Sequence, residues 1–175
     1  MFNEYYEYEV HSVKYDGALT IDYRFTLLNS PKERRQRVKL LEVPHEDLRK
    51  AWQAMKEVFA DMWGMPLVDA ATGEKLEYYI RSIKLVSSAK YGDGLKITAA
   101  ARGLERVSGD MMLTTETFYR TAPQVTSIET PEGRRRILIE GLTQEQAAKM
   151  DTLKTELFAY AHMGKKEQPT LEEAA

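Results

Sequence analysis

Two arginine pairs sit in matching contexts one hundred residues apart. Ser30-Pro31-Lys32-Glu33-Arg34-Arg35 is answered by Thr130-Pro131-Glu132-Gly133-Arg134-Arg135, each a hydroxyl residue, a proline, two spacers and two arginines. Lys32 and Arg37 extend the first cluster and Arg136 the second. The planar guanidinium fork matches phosphate oxygens two at a time. Two such turns, brought together by a repeated fold, are expected to track a nucleic-acid backbone over several nucleotides. The plainer alternative is that arginines after a surface turn are solvated or pair with Glu33 and Glu132, contacts that contribute little when exposed.

Tyrosines supply the second candidate chemistry. Tyr5, Tyr6, Tyr8, Tyr15 and Tyr23 crowd the first hairpin, and Tyr78, Tyr79 and Tyr91 the second. An exposed aromatic face stacks on an unpaired base for roughly 1–3 kcal/mol. Strands favour aromatics in any case, and neighbours such as Tyr5-Tyr6 must point to opposite faces. About half of these tyrosines are therefore expected to pack inside, with Tyr15 and Tyr91 as the candidate stacking residues.

No catalytic or cofactor signature accompanies them. The chain has no cysteine, which excludes disulfides, thiolate catalysis and cysteine metal sites. His11, His45 and His162 are too scattered for metal-ligand spacing. Tyr91-Gly92-Asp93-Gly94 lacks the spacing of a dinucleotide or phosphate loop and reads as a hairpin turn. Glu46, Asp47 and Glu145 fall in helix first turns, where the helix dipole accounts for them. The reading is of a non-enzyme with no cofactor and no metal.

The elements that position these residues repeat as well. Lys14-Tyr15-Asp16-Gly17-Ala18-Leu19-Thr20-Ile21 aligns with Lys90-Tyr91-Gly92-Asp93-Gly94-Leu95-Lys96-Ile97. Farther on, Trp52, Met55, Phe59 and Met62 fall opposite Met150, Leu153, Leu157 and Tyr160. The growing offset implies an insertion in the second copy near Gly103 to Ser127. Asp16-Gly17 marks a hairpin between strands 5–14 and 18–28. Alternation puts Leu19, Ile21, Tyr23, Phe25 and Leu27 on a covered face, with Thr20, Asp22, Arg24 and Thr26 opposite. A third strand over 36–43 and a helix from Pro44 to Met62 complete the first unit, the helix burying Leu48, Trp52, Met55, Phe59 and Met62. The second unit carries strands near 75–89, 95–102, 111–120 and 134–140. Its helix opens at the capping box Thr143 to Gln146 and ends before Gly164.

The fold expected is α+β: two related β-β-β(-β)-α units, about 4–64 and 74–164, with antiparallel sheets packed against two helices in one compact domain spanning 1–164. Residues 165–175 read as a mobile acidic tail. The net charge of −2 argues against a protein that coats nucleic acid by bulk charge, though residues 32–39 hold five cations against Glu33. The N-terminus lacks a signal peptide's basic start and apolar stretch, and no segment is long and apolar enough to span a membrane. A cytoplasmic setting without membrane contact is the expectation.

In arrangement these units resemble the PUR-repeat and Whirly-type folds, and the resemblance implies association with single-stranded nucleic acid. The reading is a non-catalytic module binding single-stranded DNA or RNA through Lys32, Arg34, Arg35, Arg37, Arg134, Arg135, Arg136, Tyr15 and Tyr91. The alternative is a protein–protein adaptor or assembly protein of phage or mobile-element type, using the helices and the acidic tail to recruit a protein partner. A homo-oligomer is compatible with either.

Overall fold

Alternation, interrupted by one bulge between Val10 and Ser12 in the first strand, builds the first hairpin. In the computed structural model, which describes residues 6–27, 29–63, 73, 77–101, 111–121, 124–139 and 141–167, β1 (Tyr6–Tyr15) pairs antiparallel with β2 (Leu19–Leu27). The reversal uses Gly17 at φ 94°, a backbone conformation that costs glycine little. Ile21, Tyr23 and Phe25 are buried on one face, as their period-2 spacing requires. β3 (Ser30–Leu40) then lies along the outer side of β2.

After α1 (Glu46–Trp63) the chain lays down β4 (Tyr78–Ser88) and β5 (Gly92–Ala101). β6 (Met111–Thr114) and the two-residue β7 (Phe118–Tyr119) both pair with β5. The main sheet runs β3-β2-β1-β4-β5-β6, antiparallel throughout, with a central seam where Ser12, Val13 and Lys14 meet Lys84, Ile83 and Ser82. A single row crosses it beneath the helices: Val38, Ile21, Val13, Ile83 and Ile97. The last four are fully buried, each contributing about 1.5–3 kcal/mol by leaving water.

The two helices cover that row and cross over between halves. α1 buries Leu48, Met55, Val58, Phe59 and Met62, and packs on β4, with the Tyr78 ring 5.2 Å from Phe59 and its hydroxyl donating to the Lys56 carbonyl at 3.0 Å. α2 (Gln144–Met163) packs on β1 and β2, where Phe158 stacks 4.1 Å from Tyr8 and meets Tyr23 edge-on at 5.6 Å. The Thr143 to Gln146 capping box forms as expected, and Gly164 closes the helix at φ 70°. Trp52 departs from the expected stripe. It is half-exposed at the helix edge, whereas Met150, its sequence counterpart, is fully buried.

Three expectations need correction. β3 begins at Ser30, so Ser30-Pro31 is not a turn and Arg34 and Arg35 lie in mid-strand, opposite Phe25 and Arg24. The edge position accommodates Pro31, whose missing N–H would be needed in a central strand. The expected strand 111–120 is split into β6 and β7, while β8 (Gln124–Thr130), an element additional to those expected, pairs with β9 (Gly133–Ile139) in a separate two-stranded ribbon. Arg34-Arg35 and Arg134-Arg135 therefore occupy unlike places, the first on the sheet edge and the second in that ribbon.

Residues 165–167, expected in the mobile tail, are tied to the fold. Lys165 N–H donates to the Ala159 carbonyl, Lys166 forms a bridge with Pro44, and Glu167 N–H donates to the Val43 carbonyl at 3.0 Å. Residues 168–175, and 103–110 of the expected insertion, lie outside the described residues.

Candidate nucleic-acid interface

The sheet face away from the helices is set by the same alternation that builds the core. Each residue beside a member of the buried row points the other way, and register assembles those neighbours into two lines. One runs Arg37, Asp22, Ser12, Lys84, Lys96; the other Lys39, Thr20, Lys14, Ser82, Thr98, Thr114. Cations and hydroxyls thus span the whole sheet, and Asp22 is the single acid among them.

Asp22 does not neutralise the band. It is buried and held between two guanidiniums: Arg35 donates to both carboxylate oxygens at 3.2 and 3.1 Å, and Arg37 donates at 3.2 Å. The Arg35 hydrogen bond, opposed by burial and reinforced by Arg37, keeps the carboxyl below its ordinary pKa. One row along, Arg24 is clasped by Glu9 and Glu33, which raise its pKa. This corner holds three arginines against three carboxylates and is close to neutral.

The excess positive charge lies elsewhere, on lysines. Lys84 and Lys96 stand directly opposite one another across β4 and β5, with Lys14 one strand away. Among the described residues none of the three makes a salt bridge. Lys39 has only a 3.9 Å contact with exposed Asp16. A like-charged pair directly across a ladder destabilises the sheet, and an anion laid over the face relieves it.

Of the residues expected from sequence, Arg35 and Arg37 are brought together, and the other described ones are dispersed. Arg35 and Arg37 are on this face but engaged with Asp22; Arg34 is on the helix side of the edge strand, opposite Phe25; Lys32 is exposed near the start of β3. Arg134 is exposed in β9, while Arg135 and Arg136 are placed in that strand with their side chains outside what is described. Tyr15 stands beyond the seam at one end of β1, 43% exposed. Tyr91 lies past the far end of β4, its ring 5.3 Å from Tyr119. Tyr8, Tyr23 and Tyr78 face the helices.

Lys14, Lys84 and Lys96 do not stand out in the sequence. The local signal is the polar-apolar-polar pattern of Ser82-Ile83-Lys84 and Lys96-Ile97-Thr98, which places those polar residues on one face without saying that they meet.

Among the described residues no group of three His, Asp or Glu side chains is placed to hold a metal, and no helix is long and apolar enough to cross a membrane. No protein family, curated protein or solved structure matches this chain.

Proposed function

We propose that this protein is a non-catalytic nucleic-acid-binding module that lays the backbone of a single strand across the open face of its sheet. The observation that carries this reading is the facing pair Lys84 and Lys96, unpaired by any described carboxylate and aligned with Lys14 and Lys39. Lysine acts as a point charge toward phosphate, and the interleaved Ser12, Thr20, Ser82, Thr98 and Thr114 hydroxyls add hydrogen bonds that also go to backbone oxygens. Six strands spaced at about 4.8 Å give a face about 24 Å wide, too broad for a duplex major groove of about 12 Å. A flexible single strand follows such a surface more readily.

The finer architecture belongs to the same proposal. Two related units, arranged as in PUR-repeat and Whirly-type folds, account for the mirrored inner order β2-β1-β4-β5 about the β1–β4 seam and for each helix packing on the other half's strands, while the outer strands β3 and β6 are not counterparts in the repeat.

The test is binding of single-stranded DNA, single-stranded RNA and duplex at two salt concentrations. Single-strand affinity that falls steeply with salt, and falls again in Lys84→Ala/Lys96→Ala, is the expected outcome. Absence of affinity at low salt overturns the reading and favours a protein-binding adaptor, for which exposed Met111 and Met112 on edge strand β6 offer an apolar contact.

A further inference from the structure

A cleft of about 420 Å³ opens at one end of the β1–β4 seam, where the strands part and α1 passes beneath. That volume falls in the range of small-ligand sites, roughly 300–1,000 Å³. Its floor is apolar and buried, built from Leu48, Ile80 and Tyr160. The Tyr160 hydroxyl is already engaged with the Glu42 carbonyl. Three aromatic side chains with accessible surface stand around it: Tyr15, Trp52 and Tyr79.

The polar groups around the cleft define the ligand. Arg49 and Lys56, both on α1, line it, and Lys56 Nζ sits 5.5 Å over the Tyr79 ring. Among the described lining residues the one carboxylate, Glu42, is paired with Lys166 at 3.0 Å. Arg49 reaches Glu167 only at 3.5 Å, an exposed contact of little value that an incoming anion can replace. Gln53 adds an amide able both to donate and to accept. Aromatic walls, two cations and a bifunctional amide suit a flat heterocycle carrying a phosphate. An aliphatic ligand would leave the cations and the amide without use.

We propose that this cleft binds one unstacked nucleobase together with its phosphate. Its position ties it to the sheet face. Tyr15 follows Lys14 in β1 and Leu40 follows Lys39 in β3, so the cleft lies on the helix side of the sheet at the end of the lysine band, and a strand leaving the band enters it by passing round that end. As the seat for a nucleotide of that strand the cleft rests on the nucleic-acid reading, but its affinity for a free mononucleotide does not.

The experiment titrates the full chain with adenosine monophosphate, with ribose 5-phosphate and with a short oligothymidine, following the fluorescence of Trp52 in a Trp63→Phe background and confirming affinities by calorimetry. The expected result is saturable quenching by the mononucleotide, none by the sugar phosphate, and about tenfold weaker mononucleotide binding in Tyr79→Ala, in keeping with removal of one base–aromatic stack. Lys56→Ala, at another partly exposed position, should weaken it too. Lys84→Ala/Lys96→Ala should leave the mononucleotide affinity unchanged while reducing that for the oligonucleotide. Oligonucleotide binding that is indifferent to Tyr79→Ala, with no mononucleotide binding at millimolar concentration, overturns the cleft and spares the sheet face. Mononucleotide binding without oligonucleotide binding does the reverse. Equal binding of the sugar phosphate also overturns the proposal, since the aromatic walls would then contribute nothing.

Discussion

Lys84 and Lys96 face each other directly across neighbouring strands on the solvent side of the sheet, while Ile83 and Ile97 beside them face each other in the core. The same register that stabilises one face strains the other. Replacing Lys84 with glutamate should turn repulsion into attraction and raise stability by roughly 0.2–1 kcal/mol at low salt, read by urea denaturation. The same change should weaken single-strand binding and lower the logarithmic salt slope by about 0.7 for each phosphate that the variant no longer neutralises. A variant that is both less stable and unimpaired in binding would contradict both roles.

Much of this fold is legible from local pattern. The Asp16-Gly17 hairpin, the alternation from Leu19 to Leu27, both helices and the Thr143 cap follow from periodicity and turn chemistry, because their determinants lie within a few residues. β3 is harder to place. Its first eight residues, Ser30 to Arg37, carry no apolar member besides Pro31, and what holds them in the sheet is pairing with Asp22 and Arg24 on another strand. The lysine band is hidden for the same reason. No window of sequence around Lys14 reveals that β4 lies beside it, so lysines from four strands read as isolated surface charges. The arginine pairs are conspicuous because they are adjacent in sequence, yet adjacency along a strand sends Arg34 and Arg35 to opposite faces.

Asp22 anchors the neutral corner of the face, and its titration should be visible in stability. A carboxylate whose folded pKa is depressed contributes stability above its unfolded pKa, about 3.9, and loses it as pH falls through the lower folded value. Wild-type stability should therefore decline below about pH 4, and Asp22→Asn should show a shallower decline there. At neutral pH the variant should cost about 1–2 kcal/mol, less than a wholly buried ion pair because both arginines are well exposed. A pH profile identical to wild type would remove Asp22 as the group responsible.

His162 predicts a second, separate transition. Its Nδ1 lies 3.0 Å from the Tyr23 hydroxyl oxygen, and because that hydroxyl donates to Gln36 at 2.8 Å, the imidazole nitrogen is the donor to Tyr23. Burial against Phe25 and Phe158 holds its pKa below the ordinary value. The neutral ring is thus favoured in the fold, and its contribution is present above about pH 6.5 and lost as pH falls through the depressed folded value. Thermal denaturation between pH 7 and 5 should show this loss, and His162→Gln should flatten it. A His162 resonance titrating at its ordinary value by NMR would rule this out.

The C-terminal segment offers two truncations with different expected costs. Removing residues 168–175 leaves every interaction of the sheet and helices named above in place and should leave Tm nearly unchanged. Removing 165–175 also deletes Lys165, whose Nζ lies 2.7 Å from Asp47 and 3.0 Å from Glu156, and the Glu167 N–H bond to Val43. Asp47 is held below its ordinary pKa chiefly by the hydrogen bond from Lys165, but both partners are accessible enough that solvent screens most of that effect. The backbone bonds from Lys165 N–H to Ala159 and from Glu167 N–H to Val43 are then the main interactions removed, so the longer truncation should cost about 2 kcal/mol, a Tm decrease of roughly 4–8 °C for a chain of this size. It also removes Glu167 from Arg49 and Lys166 from Glu42, which changes the charge balance at the rim of the cleft. Mononucleotide affinity should then change in the longer truncation and not in the shorter one. If the shorter truncation alone lowers Tm by several degrees, residues beyond 167 are docked on the fold, and the cleft mouth is the first place to look for them.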